Sequence, residues 1–279
     1  MKPTRLRPST AAVIPWIVWL AVAGGVAAGQ ATAPAPPLTS AEMGEFLRTA
    51  AVVSSKPLST GVTQPWRLTL AAGGITHDAV FQSVDQKSAI QRMKDGRTEL
   101  NFRDSYHFNI AAYKLAALLG LDHMVPVTVE RTWDKRTGSL SWWIDWKWDE
   151  TSRRKEDRQP PDPVEWAMQQ NRMHVFSELV HDTDRNTGNQ LITEDWRLWM
   201  VDFTRAFRLS NALYREQSVQ RCSRDLLAAM KALTEESVAA ATNPHLMPAE
   251  IKALLKRRDR IVERIAKLVQ ERGEQLVLY

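Results

Sequence analysis

The spacing of hydrophobic residues in the first third of the chain predicts a helix followed by a β-hairpin. Residues 41–53 carry apolar groups at helical intervals, and Ser40 is the expected N-cap. A turn is expected around residues 56–61. Residues 66–81 then alternate between apolar and polar side chains on both sides of Gly73-Gly74, a dipeptide typical of a hairpin turn.

Helical spacing returns farther along the same region. Residues 105–120 have apolar groups on one helical face, and Gly120 is placed to end that helix. Two more apolar runs, at residues 124–133 and 139–146, predict strands separated by the polar turn DKRTG. A helix set among antiparallel strands describes a small α+β lobe, which we assign to residues 42–148.

The composition changes after residue 148. Residues 149–163 are charged and proline-rich, which indicates a hinge or surface connection. Residues 164–279 are mainly helical, with LITEDWRLWMVDF resembling a short hairpin. In the last helix, which begins at Pro248, the basic run KRRDR is expected to be a solvated face. The predicted fold class is therefore α+β, with a small strand-rich N-terminal lobe and a mainly helical C-terminal lobe.

The N-terminus has the pattern of an export signal. Three basic residues precede an uncharged apolar run at residues 11–28, and small residues follow it, so residues 1–29 are predicted to be a signal peptide. An uncleaved membrane anchor is the alternative, because this run is just long enough to span a bilayer. Residues 30–41 are a Pro/Ala linker. The protein is expected to be periplasmic or secreted, with membrane contact only if the N-terminal segment is uncleaved.

The charge of the chain argues against a nucleic-acid partner. The 279 residues have a formal net charge of +5, and removing the three basic residues of the predicted signal leaves +2. The single cysteine, Cys222, cannot form an internal disulfide. The six histidines show no metal-ligand spacing, so a zinc site is not expected.

The stretch HDTDRNTGNQLITEDWRLWMVDF, residues 181–203, concentrates the candidate chemistry. A strand-rich lobe, a hinge and a helical lobe with one central hairpin is the architecture of kinase-like folds. Phosphoryl transfer there needs an Asp beside the acceptor hydroxyl, and an Asn and a second Asp to hold metal ions against the nucleotide phosphates. Asp184 is the predicted catalytic residue, and Asn189 and Asp202 are the predicted metal ligands.

This region resembles a set of atypical kinases. DTDRNTGNQLI and WMVDF are similar to the catalytic loop and metal motif of type II phosphatidylinositol 4-kinases. The wider set includes phosphatidylinositol 3/4-kinases, secreted Golgi-type kinases and HipA-like kinases. The resemblance, over residues 54–210, implies a phosphotransferase that uses ATP and Mg²⁺, or Mn²⁺, on an unidentified acceptor. It also implies a catalytic role for Arg185, next to Asp184.

Two positions in the N-terminal lobe depart from the kinase pattern. In kinases a strand Lys contacts the phosphates and pairs with a Glu on the following helix. Gln82 and Asn109 occupy these positions, so two charges are replaced by neutral amides. The amides are able to hydrogen-bond to each other, at lower strength than an ion pair. Both are predicted nucleotide-site residues.

The remaining nucleotide-site candidates follow from their position in the lobe. Ser59-Thr60-Gly61 lies where a phosphate-binding loop is expected, although it has one glycine only. Arg103 or Lys56 is the predicted replacement for the missing cation. Trp143 lies where the hinge would meet adenine, with core packing as its alternative role.

Other interpretations of the same residues stay open. The D-x-D-x-N pattern also suits a calcium loop, but counting from Asp182 puts Thr193 at the twelfth position, where such a loop needs Glu. Asn, Asp and Gly also form ordinary surface turns. For function, the alternatives are an exported nucleotide- or partner-binding pseudokinase without catalytic activity and an envelope protein without a ligand.

Overall fold

The structure, a computed structural model, describes residues 38–58, 64–92, 96 and 98–279. The predicted signal peptide and the predicted phosphate loop Ser59-Thr60-Gly61 lie outside the described residues. Within the described part, no helix is both long enough and apolar enough to cross a membrane.

An antiparallel sheet of five strands forms the strand-rich part. Gly73 and Gly74 make the turn between its second and third strands with positive φ angles of 57° and 79°, so the predicted hairpin is confirmed. The strand order is β1-β2-β3-β7-β6, with β1 at Ala51–Pro57, β2 at Trp66–Ala72, β3 at Ile75–Gln82, β6 at Thr128–Trp133 and β7 at Arg136–Trp142.

Helix α1 (Ser40–Thr49) differs from its predicted bounds at both ends. Thr39 is the N-cap, in a reciprocal capping box with Glu42, so the prediction of Ser40 as the cap is wrong. The helix ends at Thr49, and residues 51–53 belong to β1, where Ala51 and Val52 pair with β2 and Val53 lies at a register shift. Tertiary pairing therefore overrides the local helical pattern there. The predicted turn also begins too early, since Lys56 lies within β1.

The apolar face of α1 packs against one face of the five-stranded sheet. Alternate residues of each strand point to the same face, so one face of β2 and β3 is apolar. These residues and those of α1 form a separate hydrophobic cluster: Phe46, Leu47, Ala50, Leu68, Leu70, Ala79, Phe81, Val127, Val129 and Leu140.

A second hairpin, which the sequence did not predict, precedes the central helix. Its strands are β4 (Asp85–Arg92) and β5 (Thr98–Ser105), and most of their side chains are exposed. Exposed strands lack the alternation of apolar and polar residues that would reveal them in a sequence. The hairpin leads into α2 (His107–Leu118), which is the predicted helix.

The rest of the chain is mainly helical around one small sheet. The predicted hairpin near residues 191–203 is present as two short strands, and the predicted hinge contains a short helix. The domain boundaries stay predictions. The elements are β8 (Trp146–Asp149), α3 (Glu150–Lys155), α4 (Pro163–Leu179), β9 (Gln190–Thr193), β10 (Leu198–Met200), α5 (Arg224–Ala232), α6 (Glu235–Thr242), α7 (Pro248–Arg272) and α8 (Glu274–Val277), with sheet order β10-β9-β8.

Arg257 contradicts the prediction that KRRDR is a solvated face. Its side chain is fully buried. It lies between Leu254 and Ile261, on the same helical face of α7, so its position in the apolar stripe was the missed signal. Its guanidinium donates hydrogen bonds to the backbone carbonyls of Leu179, Arg208 and Ser210.

Candidate functional site

The loop between α4 and β9 lies against the segment that follows β10. The backbone N–H of Val201 donates to the carbonyl of Asn189 at 3.1 Å. Arg185 Nη1 donates to the carbonyls of Asn189 and Val201, both at 2.7 Å. Arg185 therefore fixes the loop that carries Asp184 against the residue that precedes Asp202.

Arg185 is itself held by a buried ion pair. Its Nη2 lies 2.6 Å from Asp182 Oδ2, and the two side chains are 4% and 0% exposed. The guanidinium also lies over the Phe203 ring, 4.4 Å from its centroid. A charge-assisted pair in a buried position has strict geometry, because either partner alone would be an uncompensated charge.

Asp184 and Asn189 are joined inside this loop. The backbone N–H of Asp184 donates to Asp182 Oδ1 at 3.0 Å, and Asn189 Nδ2 donates to the Asp184 carbonyl at 3.0 Å. The amide oxygen of Asn189 accepts no hydrogen bond from the described residues. Amide oxygen is a suitable ligand for a hard divalent cation.

Asp202 has a backbone conformation that is rare outside glycine. Its φ is 57°, in the left-handed region, which costs about 1–3 kcal/mol and is typical of functional sites. Thr204 Oγ1 donates to Asp202 Oδ1 at 3.0 Å. Burial raises the pKa of Asp202, and the nearby carboxylate of Asp104 raises it further.

Asp104, at the end of β5, is a site residue that sequence reasoning missed. Its Oδ1 is buried and has no hydrogen-bond partner among the described residues. Burial raises the pKa of Asp104, and the charge of Asp184 adds to this rise. Its location follows from a hairpin with no hydrophobic pattern, so the sequence offered no signal for it.

The charge of Asp184 raises the pKa of Asp104, and the charge of Asp104 raises the pKa of Asp202, so the three carboxylates lie in one region. Carboxylate and amide oxygens suit Mg²⁺ or Mn²⁺, although the oxygens of these three described carboxylates do not all lie within 4.8 Å of one another. The unpartnered Oδ1 of Asp104 is the observation that supports this fit, because a buried carboxylate oxygen without a donor is costly.

The hydrogen bond expected between the neutral amides of Gln82 and Asn109 is present. Asn109 Nδ2 donates to Gln82 Oε1 at 2.6 Å and to Ser139 Oγ at 3.1 Å. The backbone N–H of Phe203 donates to Asn109 Oδ1 at 2.7 Å. Gln82 and Asn109 are both buried. The pair thus connects β3 and α2 to the residue that follows Asp202.

The surroundings of Arg103 argue against its predicted role as the replacement cation. It forms an ion pair with Glu250 of α7, and its guanidinium lies 4.6 Å from the centroid of the Phe108 ring. Successive strand residues point to opposite faces, so Arg103 points away from the side of β5 that carries Asp104. Lys56, the other candidate, is exposed on β1.

Two cations that follow Asp202 lie close to the carboxylates. Arg205 Nη2 and Arg208 Nη2 bind the two oxygens of Glu99, at 3.0 Å and 2.9 Å. Both partly offset the rise in the pKa of Asp104. Glu99 therefore holds two arginines close to Asp104.

Trp143, the predicted adenine contact, is half-buried beside β2. The Arg67 guanidinium lies 4.0 Å from the centroid of its ring. Its backbone N–H donates to the Asp78 carbonyl at 3.1 Å. A cation over one ring face leaves the opposite face for any further stacking, so the adenine contact stays a prediction.

Comparisons with known proteins support a kinase-like fold. No family model and no curated protein sequence matches the chain. Among solved structures, hydra Fam20 with a sugar has a TM-score of 0.61 at 13% identity, covering 86% of this chain and 91% of that one. The Golgi casein kinase with Mn/ADP bound also has a TM-score of 0.61 at 13% identity, covering 86% and 78%.

A bacterial kinase has the same likeness at a lower score. The Helicobacter pylori proinflammatory kinase CtkA has a TM-score of 0.52 at 12% identity, and the match covers 83% of this chain and 99% of that one. These structures do not support the specific likeness to type II phosphatidylinositol 4-kinases, phosphatidylinositol 3/4-kinases or HipA-like kinases. The chain has an atypical kinase-like fold.

Proposed function

We propose that this protein is a metal-dependent kinase-like phosphotransferase that uses ATP. The observation that carries the proposal is the contact of Arg185 with both the Asp184 loop and the Asp202 segment. These contacts hold together the segments that carry the candidate base, Asp184, and the candidate metal ligands, Asn189 and Asp202. The solved structure of the Golgi casein kinase with Mn/ADP is consistent with this assignment.

Each residue has a separate role in the proposed reaction. Asp184 orients the acceptor hydroxyl and accepts its proton while the γ-phosphoryl group passes to the hydroxyl oxygen and ADP leaves. Asn189, Asp202 and Asp104 would hold Mg²⁺ or Mn²⁺, which neutralises phosphate charge when bound. Arg185 is a positioning residue, because its contacts are to Asp182 and to backbone carbonyls. The acceptor is a lipid, a protein or a small molecule.

A pseudokinase that binds a nucleotide without transferring phosphate is the second candidate. The neutral Gln82–Asn109 pair favours it, because no cation occupies the position that contacts the α- and β-phosphates in kinases. We also propose export to the periplasm or the medium, on the basis of the signal pattern in residues 1–29.

The test is nucleotide binding to the purified protein with and without Mg²⁺ or Mn²⁺. Calorimetry with ADP should show binding that depends on the ion, and Asp202→Ala should remove that dependence. Asp195→Asn, in the exposed turn of the same β9–β10 hairpin, is the matched control and should bind like the wild type. Binding that is identical without an ion, or unchanged in Asp202→Ala, would contradict the assigned metal role.

Transfer of radiolabel from γ-labelled ATP then separates the two candidates. Transfer to water, to the protein itself or to an added acceptor supports the phosphotransferase, and its loss in Asp184→Asn supports the catalytic role. Ion-dependent binding without any transfer supports the pseudokinase.

A further inference from the structure

Three polar side chains from distant parts of the chain meet at the N-terminal end of α2. His107 is the first residue of α2, Glu130 lies on β6, and His245 precedes α7. Their ligand atoms all lie within 4.8 Å of one another. The proposed phosphotransferase site does not use any of them.

The two imidazoles face each other through the same ring atom. His107 Nδ1 lies 3.0 Å from His245 Nδ1, and each nitrogen lies 4.0 Å from Glu130 Oε2. Without a metal, one of the two nitrogens carries the proton of this short contact. A shift of that proton to Nε2 of the same ring would leave two lone pairs pointing at one place.

We propose that His107, His245 and Glu130 form a binding site for Zn²⁺, separate from the nucleotide site and independent of the function proposed above. Two imidazoles and one carboxylate, with a water as fourth ligand, is a common zinc ligand set. Ligand atoms at about 2.0–2.1 Å from a tetrahedral zinc are about 3.3 Å apart. The two imidazoles would separate slightly, and the carboxylate would move closer.

The side chain that must move farthest is the one with the most freedom. The Glu130 side chain is 42% exposed, whereas that of His245 is 6% exposed. Tyr106 supports the carboxylate from outside the triad of His107, His245 and Glu130, because its hydroxyl donates to Glu130 Oε2 at 3.3 Å. The Tyr106 ring also stacks on His107, 4.1 Å between centroids, which fixes the orientation of that imidazole.

The surroundings of the triad also suit a metal ion. Glu130 and His245 border a cavity of about 430 Å³ between α1, α2 and β6, which gives an ion a path from solvent. A neutral imidazole has one ring nitrogen with a lone pair available for a metal ion.

A bound ion would connect α2 to β6 and to the segment that precedes α7. Asn109, two residues into α2 from His107, bonds to Gln82 and to the backbone of Phe203. Zinc at the triad would therefore stiffen the helix that supports the candidate site. The expected readout is slower amide hydrogen exchange along α2 when Zn²⁺ is present.

The test is calorimetric titration of Zn²⁺ into the chelator-treated full chain, prepared without a histidine tag. The wild type should bind one ion, and His107→Ala and His245→Ala should each lose this binding. Tyr106→Phe should weaken it roughly 10- to 100-fold, as expected for a residue that orients a ligand. His123→Ala, which removes an exposed histidine, should bind like the wild type, and so should Asp202→Ala.

A second measurement distinguishes loss of zinc binding from loss of folding. Thermal unfolding without metal should show that His245→Gln, which keeps a polar side chain of similar size, is folded, and Zn²⁺ should raise the melting temperature of the wild type but not of this variant. A wild type that binds no stoichiometric Zn²⁺, or triad variants that bind as tightly as the wild type, would overturn the proposal.

Discussion

The two sides of the candidate site hold their residues by different physical means. On the loop side, the buried Asp182–Arg185 ion pair and its hydrogen bonds to two carbonyls position Asp184 and Asp202. On the sheet side, Gln82 and Asn109 connect the elements with neutral amides. In kinases, the positions of Gln82 and Asn109 are also occupied by an ion pair, between a Lys and a Glu.

The difference shows how a charged pair can be lost without leaving a buried charge. Loss of a single charge would leave its partner uncompensated in the interior, which costs about 3–5 kcal/mol. Replacement of both charges by amides of suitable length keeps the paired polar atoms bonded at lower cost. The sheet side has therefore kept its architecture and has no cation for phosphates at this place.

The largest expected loss of stability follows from breaking the buried Asp182–Arg185 ion pair. Arg185→Ala should destabilise the protein by about 3–5 kcal/mol, because it leaves Asp182 buried and unpaired. Urea unfolding followed by circular dichroism measures this. Arg197→Ala, which removes an exposed pair with Asp195, is the matched control and should cost at most about 1 kcal/mol.

A double variant tests whether the cost comes from the unpaired charge of Asp182. Asp182→Asn combined with Arg185→Met removes both charges together, so no buried charge is left unpaired. The double variant should therefore recover part of the stability that Arg185→Ala loses, by analogy with the neutral Gln82–Asn109 pair. If Arg185→Ala costs no more than the exposed Arg197→Ala, the ion pair is not the support of the loop that we infer.

A charge swap on the sheet side should give a smaller, coupled effect. Gln82→Lys and Asn109→Glu each bury one unpaired charge, whereas the double variant restores the ion pair of kinases. We expect a coupling energy of about 1–3 kcal/mol in favour of the double variant, measured by urea unfolding in a double-mutant cycle. The double variant should also bind ADP and Mn²⁺ more tightly than either single variant, because the introduced lysine would supply the missing cation.

The control for this swap is Thr76→Lys, which adds a lysine to an exposed position of the same strand. It should leave both stability and ADP binding close to wild type. Additive losses in the double variant would contradict the prediction and indicate that β3 and α2 do not approach as an ion pair requires.

The smallest effect concerns the pH dependence of the metal-free protein. Burial raises the pKa of Asp202 and of Asp104 above the value in the unfolded chain, so the folded state binds more protons. These carboxyls therefore stabilise the fold below about pH 4, the unfolded value, and this stability is lost as the pH rises through the folded pKa. Asp202→Asn should remove its share of that loss.

Urea unfolding at several pH values, with chelator and then with Mn²⁺, measures this. The difference in stability between Asp202→Asn and wild type should grow with pH in chelator and reverse when Mn²⁺ is added, because the ion needs the charged carboxylate. Asp225→Asn, an exposed position on α5, should show neither trend. A difference that is independent of pH would contradict the assigned burial.

Local patterns in the sequence predicted much of the fold. Gly73-Gly74 and the alternation around it predicted the first hairpin, and helical spacing predicted α2 and α7. The loop with Asp184 and Asn189 and the hairpin before Asp202 were also readable, because turn chemistry and spacing act over a few residues. The strands β4 and β5 were not, because exposed strands have no apolar face to reveal them.

The sequence by itself determined the first hairpin, the helices α2 and α7, the neutral replacements at Gln82 and Asn109, and the motif around Asp184. The tertiary structure alone decided that Asp104 lies near Asp184, that Glu250 binds Arg103, and that His107 meets His245 across 138 residues. Periodicity and turn rules describe neighbours along the chain. Contacts between distant residues depend on how helices and sheets pack, which no local pattern specifies.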